Sequence, residues 1–175
     1  LEITIFRMQE EQNIKVKVSE PIVVYRESIE GNNNGRPFEG KSPNRHNRFY
    51  IECEPLPQDV INALREGHFG DGPVRTKDAK DVGNKFAEFG MDKDLMRKIY
   101  AINGTNVFVN DTKGIQNLHE TRELMIEGFN DVCKKGPTAE EPLMGVLVRL
   151  VDAKLHEDAI HRGPAQTIPA VRNAV

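Results

Sequence analysis

No apolar run in this 175-residue sequence approaches the roughly 18 residues that a membrane span requires. A secretory leader is missing as well: Leu1 to Phe6 is mostly apolar but short, and the polar run Gln9-Glu10-Glu11-Gln12 follows it closely. The expectation is a cytoplasmic chain with no membrane partner. Cysteine is scarce. Cys53 and Cys133 are too few for a disulfide framework or a cysteine-built metal site. Cys53 lies in an alternating apolar run and Cys133 near the end of an amphipathic one, which predicts two buried, reduced thiols. Motifs for independent chemistry are also lacking. There is no Gly-x-x-x-x-Gly-Lys-Ser/Thr phosphate loop and no Gly-x-Ser-x-Gly elbow. The Asn-rich Gly31-Asn32-Asn33-Asn34-Gly35 is not followed by a lysine-led helix. No catalytic residue is expected, and no enzyme in this chain.

What is present suffices for a core. With 38% hydrophobic and 29% charged residues, the chain suits one domain, or one domain and part of a neighbour. Net charge is -3, which argues against a wholly basic nucleic-acid binder. Between Arg36 and Arg48, however, Arg36, Lys41, Arg45 and Arg48 outnumber Glu39, a local +3. An acidic body with a basic tip suits a protein that touches RNA at one end.

Ile3, Ile5, Ile14, Val16 and Val18 alternate with polar partners, so the first 25 residues are expected to be extended, with Ile22-Val23-Val24-Tyr25 a short buried strand opened by Pro21. Residues 29–47 form a long connection through the Asn-rich loop, and Gly31 to Arg45 is expected to be mobile. Phe49, Ile51 and Cys53 alternate with Tyr50, Glu52 and Glu54, a strand with one buried face. Helices are expected at Pro57 to Leu64, with proline in the first turn, at Lys77 to Phe89, and from an Asp92 cap through Ile99, with a loop at Gly70 to Pro73. Asn106 to Asn110 is a strand. Ile115 to Lys134 is the clearest helix, its stripe made of Ile115, Leu118, Met125, Ile126, Phe129 and Cys133. Gly145 to Leu155 is apolar on both faces, Val146, Val148 and Leu150 against Leu147, Val151, Ala153 and Leu155, which predicts an interior strand. Thr167 is read as the cap of a last helix with Pro169 in its first turn. Strands and helices mix without strict alternation, so the fold class is α+β, the helices packed on one face of a mixed sheet.

The densest polar cluster is Leu155-His156-Glu157-Asp158-Ala159-Ile160-His161-Arg162-Gly163. Two metal ligands on one helix face need a spacing of four, about 40° apart, whereas His156 and His161 lie five apart, about 140° around. No metal site is expected. Two readings stay open on pattern alone: a solvated connection after an interior strand, or a recognition tip in which His161 and Arg162 meet phosphates or bases.

That nine-residue run, followed by Gln166 and Ile168-Pro169, resembles the signature of the archaeal and eukaryotic elongation factor 2 family. Lys41-Ser42-Pro43-Asn44-Arg45-His46-Asn47-Arg48 looks like that family's second tip segment. Ser19-Glu20-Pro21-Ile22-Val23-Val24-Tyr25-Arg26-Glu27 is similar to its entry into domain IV. With weaker similarity between them, the matches cover the chain from about Ser19 to its end. Pro164-Ala165 stand where eukaryotic members have further glycines, so the form looks archaeal.

The resemblance implies that residues 1–18 are the last strands of domain III and residues 19–175 are domain IV, with the fold of the second domain of ribosomal protein S5. It implies that His161 is the histidine converted to diphthamide, and with it the target of ADP-ribosylation by diphtheria toxin. The implied role is insertion into the ribosomal decoding site, supporting tRNA–mRNA translocation. Implied partners are small-subunit rRNA, tRNA and mRNA, besides the diphthamide-synthesis enzymes. Contacts would come from Ser42, Pro43, Asn44, Arg45, His46, Asn47 and Arg48, and from His156, Asp158, Ile160, Arg162 and Gly163. No cofactor is expected in this chain, since GTP and Mg belong to the GTPase domain of the full-length protein. The alternative is a stand-alone RNA-binding protein or enzyme on an S5-like fold. The geometric expectation is that the imidazole of residue 161 and the loop around Arg45 lie side by side, with the ring outside the core.

Overall fold

The computed structural model describes residues 2–20, 22–31 and 35–175. Pro21 as a strand opener and Asn32 to Asn34 in the loop therefore lie outside the described residues. Six strands form one mixed sheet in the order β1-β2-β6-β5-β4-β3. They are β1 (Phe38–Lys41), β2 (Arg48–Pro55), β3 (Gly72–Pro73), β4 (Ile99–Asn103), β5 (Asn106–Asn110) and β6 (Val146–Lys154). Helices α1 (Glu2–Glu10), α2 (Gln58–Arg65), α3 (Ala79–Glu88), α4 (Lys93–Met96), α5 (Arg122–Lys134) and α6 (Pro164–Ala174) complete the chain.

The centre of the sheet is the parallel pair β5 and β6, flanked by antiparallel neighbours. Parallel neighbours need a crossover, which α5 supplies between them. Apolar side chains on both faces of these strands require cover on both sides. Phe108, Val146, Val148 and Leu150 meet Met125, Phe129, Ala170 and Val171 of α5 and α6. Val107, Val109 and Leu147, on the reverse face, meet Val60, Leu64, Phe86 and Met96 of α2, α3 and α4. The α+β class stands, but its helices cover both faces rather than one. Fully burying each of Phe49, Phe86, Phe108 and Phe129 contributes about 1.5–3 kcal/mol.

β6 departs from the expected alternation for a definite reason. Tyr50 pairs with Asp152 and Ile51 with Leu150, so Val151 is an extra residue, a bulge. The bulge turns Ala153 onto the same face as Leu150, where it joins the α5/α6 core. The connection before β2 is likewise not structureless, because residues 38–41 pair with residues 48–51 as a hairpin.

Several other expectations are corrected. Residues 2–10 are helical with no buried side chain, and residues 13–20 belong to no strand. Ile22 to Tyr25 is exposed, Ile22 by 85%, rather than a buried strand. The helix capped by Asp92, whose carboxylate accepts from Asp94 N and Leu95 N, stops at Met96, because Ile99 opens the unforeseen strand β4. Gly72–Pro73 pairs with β4 rather than looping free, and Pro57 caps α2 instead of entering its first turn. The stripe of α5 starts only at Arg122, since Asn117 adopts a left-handed φ of 60° and a 3-10 turn, Leu118–Thr121, intervenes. Finally, α6 begins at Pro164, three residues before the expected cap. Thr167 is internal and its hydroxyl donates to Arg162 O at 2.9 Å.

Glycine is required where α6 crosses the sheet edge. A Cβ on Gly40 would stand 1.9 Å from Ala170 O and 2.7 Å from Ala174 Cβ. Replacing Gly40 with Ala is expected to cost about 1–3 kcal/mol through overpacking, seen as a lower urea midpoint at unchanged slope. A midpoint equal to that of the parent would show that α6 does not bear on β1.

Both thiols are buried, and burial pushes Cys53 and Cys133 from the usual 9.0 up to about 12. At pH 8 the folded protein then holds about a thousandfold less thiolate than an unfolded chain. A thiol ionising more readily in the unfolded chain lowers stability as pH rises above about 9. Ellman's reagent at pH 8 should label neither cysteine until denaturant is added. Labelling within the mixing time would contradict their placement in the core.

Candidate functional site

β6 delivers the chain to a loop at its C-terminal end, and β2 starts beside it: Arg48 pairs with Lys154. The hairpin turn 42–47 therefore faces the loop 155–163. Asn47 joins them. Its side chain is fully buried, donates to His161 O at 2.7 Å, and accepts from His156 N at 3.0 Å. Asn44 adds a second donation to His161 O at 3.1 Å, and its own N–H donates to Gln166 Oε1 at 2.9 Å. Within the turn, the Ser42 hydroxyl accepts from Asn47 N at 2.9 Å, and Arg45 N donates to Ser42 O at 2.7 Å. Arg45 takes a left-handed φ of 61°, an uncommon conformation for a long side chain.

The second loop is clamped from below by Arg162. Its guanidinium is buried, donates to His156 O and to Glu157 O, and forms an ion pair with Glu120. Asp158 caps the 3-10 turn Ala159–Arg162 by accepting from Ile160 N at 3.1 Å. His156 Nδ1 accepts from Asp158 N at 3.0 Å, which leaves its proton on Nε2.

These restraints bring three imidazoles together. The ring centroid of His161 lies 4.9 Å from that of His46 and 4.5 Å from that of His156, while His46 and His156 are 5.0 Å apart. Arg45 and His46 are exposed, His161 half-buried, and Ile160 is 78% exposed at the outer edge. At the base, Lys41, Arg48 and Tyr50 share Glu39: both cations lie 3.0 Å from its carboxylate. The hydrogen bond from Lys41 leads in holding Glu39 below its usual range, and the contacts with Tyr50 and Glu39 raise Arg48 above its own.

Most of the residues singled out from sequence thus lie together, and the imidazole of residue 161 is outside the core. Three need reassignment. Ser42, Asn47 and Arg162 are buried, so their side chains build the loops and do not present themselves to a partner. Pro43, Arg45, His46, Arg48, Asp158 and Ile160 are exposed, and Asn44, His156 and Gly163 half-buried. Sequence reasoning missed Glu120, which no local pattern links to a residue 42 positions away. It quoted Gln166 only as part of a motif. Among the described residues, no three His, Cys, Asp or Glu side chains are placed to hold a metal ion.

Against this geometry, a family model described as elongation factor G, domain IV, matches residues 72–175. The chain belongs to that family. The match includes the loop of His161 and leaves the turn at Ser42 outside, but alignment with whole relatives covers both. Over 175 residues, all of this chain, it is 49% identical to elongation factor 2 of Pyrococcus horikoshii and 51% identical to that of Picrophilus torridus. Elongation factor 2 of Pyrococcus furiosus is 51% identical over 176 residues. The chain spans 23–24% of the length of these relatives. With domain IV membership, the S5-like fold expected from the resemblance stands.

Asn47 is expected to be the strongest determinant of loop order. Asn47→Ala leaves His156 N and the Asn44-bound His161 O short of a buried partner, at a cost of about 1–3 kcal/mol. Hydrogen exchange should then show lost protection at His156 in the folded state, and protection retained in the variant would remove the bridge from the account.

Proposed function

We propose that this chain is the domain of a GTP-dependent translation elongation factor that enters the ribosomal decoding site, with His161 the residue converted to diphthamide. Residues 1–18 would then belong to the domain before it. The observation that carries the reading is the cluster of three imidazoles on a polar framework. The main chain of His161 is fixed by Asn44 and Asn47 while its ring stays outside the core beside His46. A histidine held by its carbonyl leaves its ring open to extension. The quaternary ammonium of diphthamide would place a fixed cation next to Arg45. Base stacking on imidazole, hydrogen bonds to ribose hydroxyls and cation–phosphate contacts are the forces by which proteins hold exposed RNA. Support comes also from membership in the domain IV family and from the likeness to archaeal elongation factor 2 proteins. GTP hydrolysis is assigned to parts of such a factor outside this chain. The partners proposed are small-subunit rRNA, tRNA and mRNA, with the diphthamide-synthesis enzymes acting on His161 beforehand.

The modification is tested by the mass of the peptide Leu155 to Arg162 from full-length factor isolated from its own host. An increment on His161 is expected, and an unmodified peptide would remove that part of the reading. The role is tested in single-round translocation with the full-length factor. His46→Ala is expected to slow tRNA–mRNA movement about tenfold, equivalent to 1.4 kcal/mol, with ribosome-stimulated GTP hydrolysis unchanged. Translocation at the parental rate would sink the decoding-site reading.

A further inference from the structure

A pocket of about 340 Å³ opens where β4 begins, β5 ends and α5 starts. Arg97, Lys98 and Arg122 line it together with Thr76, Tyr100 and Thr112, and no carboxylate does, in a chain whose net charge is -3. Two of the cations lean on acids at the rim: Arg97 on Asp94 at 3.4 Å and Lys98 on Asp111 at 2.8 Å. Arg122 has no acidic partner among the described residues. It donates to Val74 O and lies 4.8 Å over the Tyr100 ring. The Nε atoms of Arg97 and Arg122 are buried without an acceptor. Tyr100 accepts from Asn110 at 2.8 Å, so its own hydroxyl proton is left to donate. The walls therefore offer donors and positive charge, the complement of a compact oxyanion.

Its place in the sheet says where such an anion would come from. Asp111 N donates to Leu150 O at 2.8 Å, and β6 runs four residues beyond that level before reaching the loop of His161. The pocket thus lies toward the same end of the sheet as the imidazole cluster, set back by about 10 Å, because the bulge at Val151 leaves three paired residues at about 3.3 Å each. The two are also tied through one turn: Glu120 holds Arg162, and Arg122 follows two residues later.

We propose that this pocket receives a backbone phosphate of RNA, a second contact set behind the loops when they engage the ribosome. The proposal rests on the reading that this domain meets ribosomal RNA. It adds a site outside both loops, with Arg122 as the principal ligand.

The test is ribosome binding by the full-length factor across a salt series. Arg122→Gln is expected to weaken binding about tenfold at low salt and to make the slope of log K against log salt shallower by about one. Arg122→Lys, which keeps the charge, should retain most of the slope, and urea midpoints report that each variant is folded. If loss of the Val74 contact unfolds Arg122→Gln, Arg97→Gln on the facing wall should give the same shallower slope. A folded neutral variant with the parental slope, or an equal loss in Arg122→Lys, overturns the proposal. Inorganic pyrophosphate titrated into the free factor is the second arm: micromolar binding that Arg122→Gln abolishes would make a small free anion the ligand and overturn the RNA assignment. His46→Ala translocation run alongside separates the two readings. A normal rate there with a shallower Arg122→Gln slope sinks the decoding-site role alone, and the reverse pattern sinks this site alone.

Discussion

The carboxamide of Asn47 sits fully buried between two loops more than a hundred residues apart in sequence, donating to His161 O and accepting from His156 N. A buried amide is costly unless each of its polar atoms is satisfied, and here both ends are. An apolar residue of similar size would fill the space but leave a backbone donor orphaned. The constraint therefore fixes geometry more than it adds stability. One rotamer at position 47 sets the register of the hairpin turn against the loop after β6, and with it the spacing of the imidazoles. Arg162 does the same from below with a buried guanidinium, placing three hydrogen-bond donations on main-chain carbonyls and a carboxylate.

Such a framework needs rigid supports. The loop of His161 is flanked by β6, the strand between β2 and β5, and by α6, which begins at Pro164 immediately after it. Neither can drift. β6 is apolar on both faces at its parallel end, and α6 lies close enough to β1 that position 40 has no room for a Cβ. The bulge at Val151 re-aims the last residues of β6, so that Ala153 still packs under α6 while Lys154 reaches the surface. A functional site built on strand and helix ends holds tighter tolerances than one on free loops.

The parts that sequence made legible share one property: their signal is local. β2, β5, β6 and the stripe of α5 announce themselves by alternation or by helical spacing, and the histidine-rich loop by its residue run. What stayed hidden depends on distant partners. Ile99 looked like the tail of a helix, and Tyr100 to Ile102 carried no assignment, because only Val109, Phe108 and Val107 across the ladder make this segment a strand. Ser42, Asn47 and Arg162 were expected as contact residues, and only the fold shows where their side chains are consumed: Ser42 within its own turn, Asn47 by the facing loop, Arg162 by its own loop and Glu120. The N-terminal alternation of Ile3 and Ile5 failed for the converse reason. No partner strand meets them among the described residues, and a strand needs one where a helix closes its own hydrogen bonds.

The same logic narrows where positive charge at the tip is available. Of the four basic residues between 36 and 48, Lys41 and Arg48 are drawn to Glu39. Exposed pairs of this kind contribute little stability, and the single carboxylate offsets one of the two charges it holds. Arg45 keeps its own among the described residues, whereas Arg36 precedes β1, at the end of the hairpin away from the turn. Arg45 in addition occupies a left-handed backbone position that a glycine or asparagine would take at less cost, a penalty of about 1–2 kcal/mol for a side chain of its length. A turn that needed only its shape would be better served by those residues. An arginine there, exposed and next to His46 in the chain, is what the proposed contact of this turn with RNA would call for.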